Sequence, residues 1–220
     1  MGVSRATVRE AMKSLQQRGV TSIEQGRGTF VNPVEEWSPF DPVLLAARTS
    51  GPARAHDDLS LLGAALDPTW SAKLIEARRM VEVGVAGLAA TRRNEQDLAD
   101  MEASLVVMKA AHDDVTAFAR ADLAFHDAVM RAAANELIQA LFDPISRLIG
   151  AGRIESSRPA ERRAYALEAH ASILAAIRAG DSDAAARAMQ AHLDSTLTWF
   201  TDHKTKVPSM KRTPIPKSVA

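Results

Sequence analysis

From Ser71 to His203 the chain never leaves helical periodicity, and that run restricts the fold more than any other feature. Polar or glycine-bearing breaks fall near Asn94, at His112–Asp113, at Asn135, between Gly150 and Pro159, and at Gly180–Asp181. They cut the run into five or six amphipathic segments that follow one another. Alanine is abundant, aromatics make up 5% of the chain, and no stretch alternates apolar and polar as a strand would. An antiparallel all-α bundle is the expected architecture for residues 71–203.

Three of these helices carry the wrong residues on their buried side. In Val115–Ala134 the apolar stripe reads Val115, Phe118, Ala119, Asp122, Phe125, His126, Val129, which puts Asp122 and His126 one turn apart in the core. A second helix offers Leu167, His170, Leu174 and Ile177 on one face. The last gives Ala185, Met189, His192, Thr196 and Trp199. Inward-facing carboxylate and imidazoles are costly unless they meet one another or a common partner. Beside a divalent cation the carboxylate stays ionised and neutral imidazoles donate lone pairs. Three nitrogens and one hard oxygen suit zinc, nickel, manganese or iron(II), with zinc favoured by affinity. The alternative is an internal Asp–His pair and ordinary core histidines. The chain has no cysteine, which excludes disulfides and thiolate metal sites. His56, His112 and His203 fall in a linker, a helix junction and a tail edge and read as solvent-facing.

Arg78 lies on another apolar stripe, with Leu74, Val81, Val85 and Leu88. It either pairs with Glu82 one turn on or waits for an anion, since its fork matches a carboxylate. A metal taking a carboxylate oxygen and a hydroxyl, with Arg78 adding hydrogen bonds, would make an anion pocket for a small organic acid.

The first residues differ. Ser4 is a fitting N-cap and Gly19 a fitting stop for a helix whose apolar stripe is Val8, Ala11, Met12 and Leu15. "VTSIEQGRGTFV" then reads as two short strands around a turn at Gln25–Gly28. Arg5, Arg9 and Lys13 climb one side of the helix, and residues 1–33 hold five basic side chains against two acids, a net +3 inside a chain of net charge zero. Helix followed by basic hairpin is the back half of a winged helix-turn-helix. Five of the ten prolines lie between Pro33 and Pro68, marking residues 34–70 as a linker, with one short helix over "DPVLLAAR" capped by Asp41. Residues 204–220 are basic, proline-bearing, free of acids, and read as a disordered solvated tail. No apolar run approaches membrane-spanning length and no signal peptide is visible, so no membrane partner and a cytoplasmic location are expected.

These stretches carry a resemblance. "GVSRATVREAMKSLQQRGVTSIEQGRGTFV" resembles the second half of the winged-helix domain of GntR-type transcription regulators. "EARRMVEVGVAGLAA", "ADLAFHDAVMRAAANELI", "EAHASILAAIRAGDSDAAARAM" and "AMQAHL" resemble successive helices of the FCD ligand domain of the FadR subfamily. The resemblance implies that Asp122, His126, His170 and His192 are metal ligands. It implies that Ser4, Arg5, Thr7 and Arg9 approach phosphates and base edges, and that Gln25, Gly26 and Arg27 place the wing in the minor groove. Ala6 stands where the family often has Thr or Ser. "EEWSPFDPVLLAAR" is similar to the branch that senses sugar acids, which implies an aldonate or related hydroxycarboxylate as effector.

The expected protein is therefore a ligand-responsive regulator, a repressor by family habit, acting as a homodimer on a palindromic operator. The family's domain has further helices ahead of the recognition helix. The chain as written is thus expected to bind DNA weakly, an expectation that tight, sequence-specific binding would refute. Two alternatives use the same Asp/His cluster: a metal-dependent hydrolase, and a sensor for which the ion itself is the signal. Against the hydrolase, no His-Glu-x-x-His motif occurs and the sequence places no evident general base beside the site.

Overall fold

The computed structural model describes residues 4–38, 41, 44 and 68–202. Helix α1 (Arg5–Gln17) starts where Ser4 Oγ accepts a hydrogen bond from the Thr7 amide at 3.1 Å. It ends at Gly19, whose φ of +73° suits glycine alone, and a Cβ there would strike the Glu36 carbonyl. Strands β1 (Thr21–Glu24) and β2 (Gly28–Val31) pair antiparallel, Thr21 opposite Val31 and Glu24 opposite Gly28. The tip closes with Arg27 N donating to Glu24 O at 3.0 Å, and with Gly26 and Gly28 both at positive φ. The chain then folds back on α1 through Asn32 Nδ2 to Gly19 O and Ser38 N to Arg18 O. None of the α1 side chains is buried, and Val8 is 51% exposed, so the expected apolar stripe exists without a cover among the described residues.

Of the expected linker helix, Asp41 and Leu44 are described, the Leu44 amide donating to Asp41 Oδ1 at 3.0 Å as a cap would. The rest of that helix, most of the linker, His56, His203 and the basic tail lie outside the described residues.

The remaining helices are α2 (Pro68–Arg92), α3 (Glu95–Ala110), α4 (Val115–Ala132), α5 (Glu136–Ser156), α6 (Ala160–Ala179) and α7 (Ser182–Asp202). Asn94 with Asp97 forms a reciprocal capping box for α3, Asp114 and Asn135 cap α4 and α5, and Gly180 at φ +74° ends α6. The short connections make successive helices antiparallel. α2 packs along α7, α3 along α4, and α6 along α7. Small residues let them approach closely: Ala86, Ala89, Ala90, Ala128, Ala132 and Ala185 are fully or almost fully buried. Phe125, Met101, Ile173, Ile177, Met189 and Leu193 fill the space between.

Two boundaries differ in detail from the expected ones. α2 begins at Pro68, ahead of Ser71, because proline is well suited to the first helical position. The expected break between Gly150 and Pro159 falls late in that interval: α5 runs through Pro144 and Gly150 as far as Ser156. Glycine costs a helix only about 1 kcal/mol, which burial of the neighbouring face can offset. The chain turns at Ser157–Pro159, with Ser157 N bonded to Arg153 O at 3.0 Å.

Candidate metal and effector site

α4, α6 and α7 bring the four expected residues together. Asp122, His126, His170 and His192 are all buried, and one ligand atom from each lies within 4.8 Å of every other. The ring centroid of His170 is 5.0 Å from that of His126 and 4.6 Å from that of His192.

The hydrogen bonds around this cluster decide where the imidazole protons sit. His170 Nδ1 donates to the Ala166 carbonyl one turn back on its own helix. His126 Nδ1 lies 2.5 Å from Glu82 Oε2. With both protons on Nδ1, each Nε2 turns a lone pair inward. Those two Nε2 atoms are 3.1 Å apart, and Asp122 Oδ1 is 3.1 Å from His170 Nε2. His192 Nδ1 is buried with no hydrogen-bond partner. An Arg78 terminal nitrogen 3.1 Å from His126 Nε2 can donate to that atom. The facing pair His170 Nε2 and Asp122 Oδ1 has no proton between them, which is unfavourable unless a cation lies there. Neighbouring ligand atoms about 2.1 Å from an octahedral or tetrahedral ion are spaced roughly 3.0–3.4 Å apart. That matches the 3.1 Å between the two Nε2 atoms and between Asp122 Oδ1 and His170 Nε2, with all four donors within 4.8 Å of one another. The cluster fits a divalent ion.

Its electrostatics point the same way. Burial, with the neighbouring rings and arginines, holds His170 and His192 well below the ordinary histidine value. Burial also lowers His126, with Glu82 opposing in part. All three are therefore neutral near pH 7, the form that coordinates metal.

Sequence reading missed part of the surroundings. Arg78 does pair with Glu82, its Nε 2.6 Å from Oε1 and a terminal nitrogen 3.3 Å from Oε2. The same terminal nitrogen lies 3.3 and 3.1 Å from Nδ1 and Nε2 of His126 and so straddles that ring. Burial alone would raise the Glu82 carboxyl, but Arg78 and His126 outweigh it and hold it well below the usual carboxylate range. An acid therefore does stand beside the cluster, contrary to expectation, because the buried face of α2 follows Leu74, Ile75, Arg78, Glu82 and Val85. With Arg78 and His126 both engaging it, Glu82 orients His126 rather than serving as a base. The second omission is Arg153 on α5, 5% exposed, whose guanidinium pairs with Asp122 Oδ2. The signal was available, an arginine among Leu148, Ile149 and Ile154, but Arg153 falls inside the interval expected to hold a helix break, which assigns it no face.

A cavity opens beside the cluster, bordered by Arg78, Asp122, Arg153, Arg162, His192 and Thr196, with Ser156 and Ser157 on its wall. Arg162 reaches the hydroxyls of Ser195 and Thr196 at 2.9 and 3.3 Å.

At the other end of the chain, Arg5, Thr7 and Arg9 lie on the exposed α1 with Ser4 at its N-cap, and Gln25, Gly26 and Arg27 form the exposed hairpin tip. Ser4 and Thr7 are partly committed to each other, their hydroxyl oxygens 2.9 Å apart. Arg27 pairs with Glu24 and lies over the Phe30 ring, 5.7 Å from its centre. His112, half-exposed, contacts Asp113 at 3.2 Å and is not part of the cluster. No described helix is long and apolar enough to cross a membrane.

Comparison with known proteins agrees with both ends of the chain. Residues 73–195 match the FCD domain, and residues 1–31 match the bacterial regulatory proteins of the gntR family. The HTH-type transcriptional regulator LutR of Bacillus subtilis is 33% identical over 198 residues, 87% of this chain and 82% of LutR. The galactonate operon transcriptional repressor of Escherichia coli is 31% identical over 186 residues, 84% of this chain and 76% of that protein. A solved GntR structure from Streptococcus agalactiae superposes with a TM-score of 0.52 at 25% identity, over 89% of this chain and 82% of that one. Such regulators bind operator DNA and small-molecule effectors and are not enzymes. The chain belongs to the GntR family, with an FCD domain, and is a ligand-responsive transcriptional regulator.

Proposed function

We propose that this regulator senses a small hydroxycarboxylate through a metal held by Asp122, His126, His170 and His192, and that it represses its operon until that acid is bound. The observation that carries the reading is the convergence of these four donors beside an arginine- and hydroxyl-lined cavity. A divalent cation there, zinc by affinity with nickel, manganese or iron(II) as options, supplies a Lewis-acidic seat for a carboxylate and a neighbouring hydroxyl. Arg78 borders that seat, and Ser156, Ser157 and Thr196 offer the hydroxyl partners a polyol chain needs. A relative named for the galactonate operon favours a sugar acid as effector.

The cavity now has about 20 Å³ of free space, enough for a water and too little for a hydroxy acid. Entry of the acid must therefore part the α5–α6 corner from α7. A ligand that favours the parted form shifts the balance by its differential affinity, and a few kcal/mol suffices to change operator occupancy. In this reading residues 71–203 are the effector domain, 34–70 the linker that passes the change, and 1–33 the DNA-contacting part. A cytoplasmic homodimer sets two α1 helices on a palindromic operator. Ser4, Arg5, Thr7 and Arg9 contact the major groove, and Gln25, Gly26 and Arg27 the minor groove.

Calorimetry of chelated and zinc-reloaded protein with D-galactonate, D-gluconate and L-lactate tests the proposal. The expected result is saturable binding of at least one acid that requires metal and returns the acid unchanged. Binding indifferent to chelation would overturn it, as would a DNA-binding response to metal alone on which no acid acts.

A further inference from the structure

The two buried arginines beside the cluster are not equivalent. Arg78 has its Nε and a terminal nitrogen committed to Glu82, and that terminal nitrogen also straddles His126. Arg153 is also buried, yet its Nε has no hydrogen-bond partner at all. A buried N–H without an acceptor costs roughly 1–3 kcal/mol, so it marks either a flaw or a place kept for a ligand. Its position favours the ligand. Arg153 lines two cavities, the one beside Asp122 and His192 and a second between α2 and α7 bounded by Leu74 and Phe200; Arg78 lines both as well, so the unpartnered Nε is what separates the two side chains.

We propose that Arg153, rather than Arg78, receives the carboxylate of the effector, with Arg78 serving as a brace for Glu82 and His126. This rests on the reading that the cavity takes a hydroxycarboxylate. The guanidinium has five donors in a planar fork. One terminal nitrogen is on Asp122 Oδ2, while Asp122 Oδ1 faces His170, so the two carboxylate oxygens have separate duties. The Nε edge of Arg153 remains for the acid. One side chain thus touches both the metal-holding carboxylate and the acid. Any draw on the charge of Asp122 leaves Arg153 more in need of an external anion, so metal and acid bind with positive coupling.

The test uses the full chain as Arg153→Lys, Arg153→Gln and Arg78→Lys variants, each shown to be folded by its circular dichroism melt. Zinc affinity is read by competition with a chromophoric chelator, and acid affinity by calorimetry of the zinc-loaded proteins with glycolate and D-galactonate. Lysine keeps a positive charge beside Asp122 but lacks the planar fork. Both Arg153 variants are therefore expected to lose about tenfold or more in acid affinity with much smaller changes in zinc affinity. Arg78→Lys is expected to weaken zinc binding, and acid binding only in proportion. Acid affinity within twofold of wild type in the Arg153 variants, or a selective acid defect in Arg78→Lys, overturns the assignment while leaving the effector reading intact. If the zinc-loaded wild type binds neither acid, the effector reading itself fails and the assignment with it.

Discussion

Acid titration of the chelated protein probes the buried histidines without any knowledge of effector or operator. His170 and His192 sit well below the ordinary value of about 6.5 because burial disfavours their charged forms. In the unfolded chain they return to that value. Below pH 6.5 the unfolded state therefore takes up protons that the native state refuses. Their contribution is fully present above pH 6.5 and is lost as the pH falls. Each such group costs about 1.4 kcal/mol per pH unit once fully engaged, so two give roughly 2–3 kcal/mol between pH 6 and 5. For a chain of this size that corresponds to a fall in Tm of roughly 5–10 °C. His126, also lowered by burial, adds in the same direction. Asp127 is pushed up by burial and acts oppositely, so the reference is a His170→Gln/His192→Gln double variant rather than an ideal flat line. Melting curves at pH 7, 6 and 5 in chelator should show the wild type falling more steeply than the double variant. Equal slopes, or a wild-type Tm constant across the range, would refute the claim that these imidazoles are buried and neutral.

Other consequences can be measured separately. Glu82→Gln keeps all four candidate ligands but loses the charge that orients His126, and should lower zinc affinity by about 10–100-fold in a chelator competition. Gly19→Ala forces a Cβ at φ +73° against the Glu36 carbonyl and should make the N-terminal segment more protease-sensitive, with the bundle's melt unchanged. If Arg9 contacts a phosphate, Arg9→Ala should reduce the slope of log affinity against log salt by about 0.9 for any DNA bound, read by fluorescence anisotropy.

How much of this was legible in the sequence varied by helix. In α4 the apolar stripe has one solution, because Phe118, Phe125 and Val129 fix the face and carry Asp122 and His126 inward with it. α6 and α7 were equally readable around His170 and His192, although the ring buried at the end of α7 is Phe200 and not Trp199. α2 is apolar on most of its circumference, so a stripe through Val81 and Leu88 fits the pattern almost as well as the buried one through Glu82. Neighbouring helices settled that choice, not local periodicity. On α5 the stretch from Gly150 to Pro159 reads as a break and so hid Arg153, since burial of Phe142, Pro144 and Arg153 holds the helix through most of it. The hairpin and both ends of α1 could be read from Ser4, Gly19, Gly26 and Gly28, because caps and tight turns depend on one or two residues each.

Metal content with X-ray absorption on protein purified without chelator bears most directly on the central claim. One divalent ion per chain is predicted, with nitrogen and oxygen neighbours at about 2.0–2.2 Å. The outer-shell scattering should show three imidazoles, and occupancy should be lost in His170→Ala and His192→Ala. Protein that stays metal-free when offered zinc, or that keeps its metal after both substitutions, would contradict it.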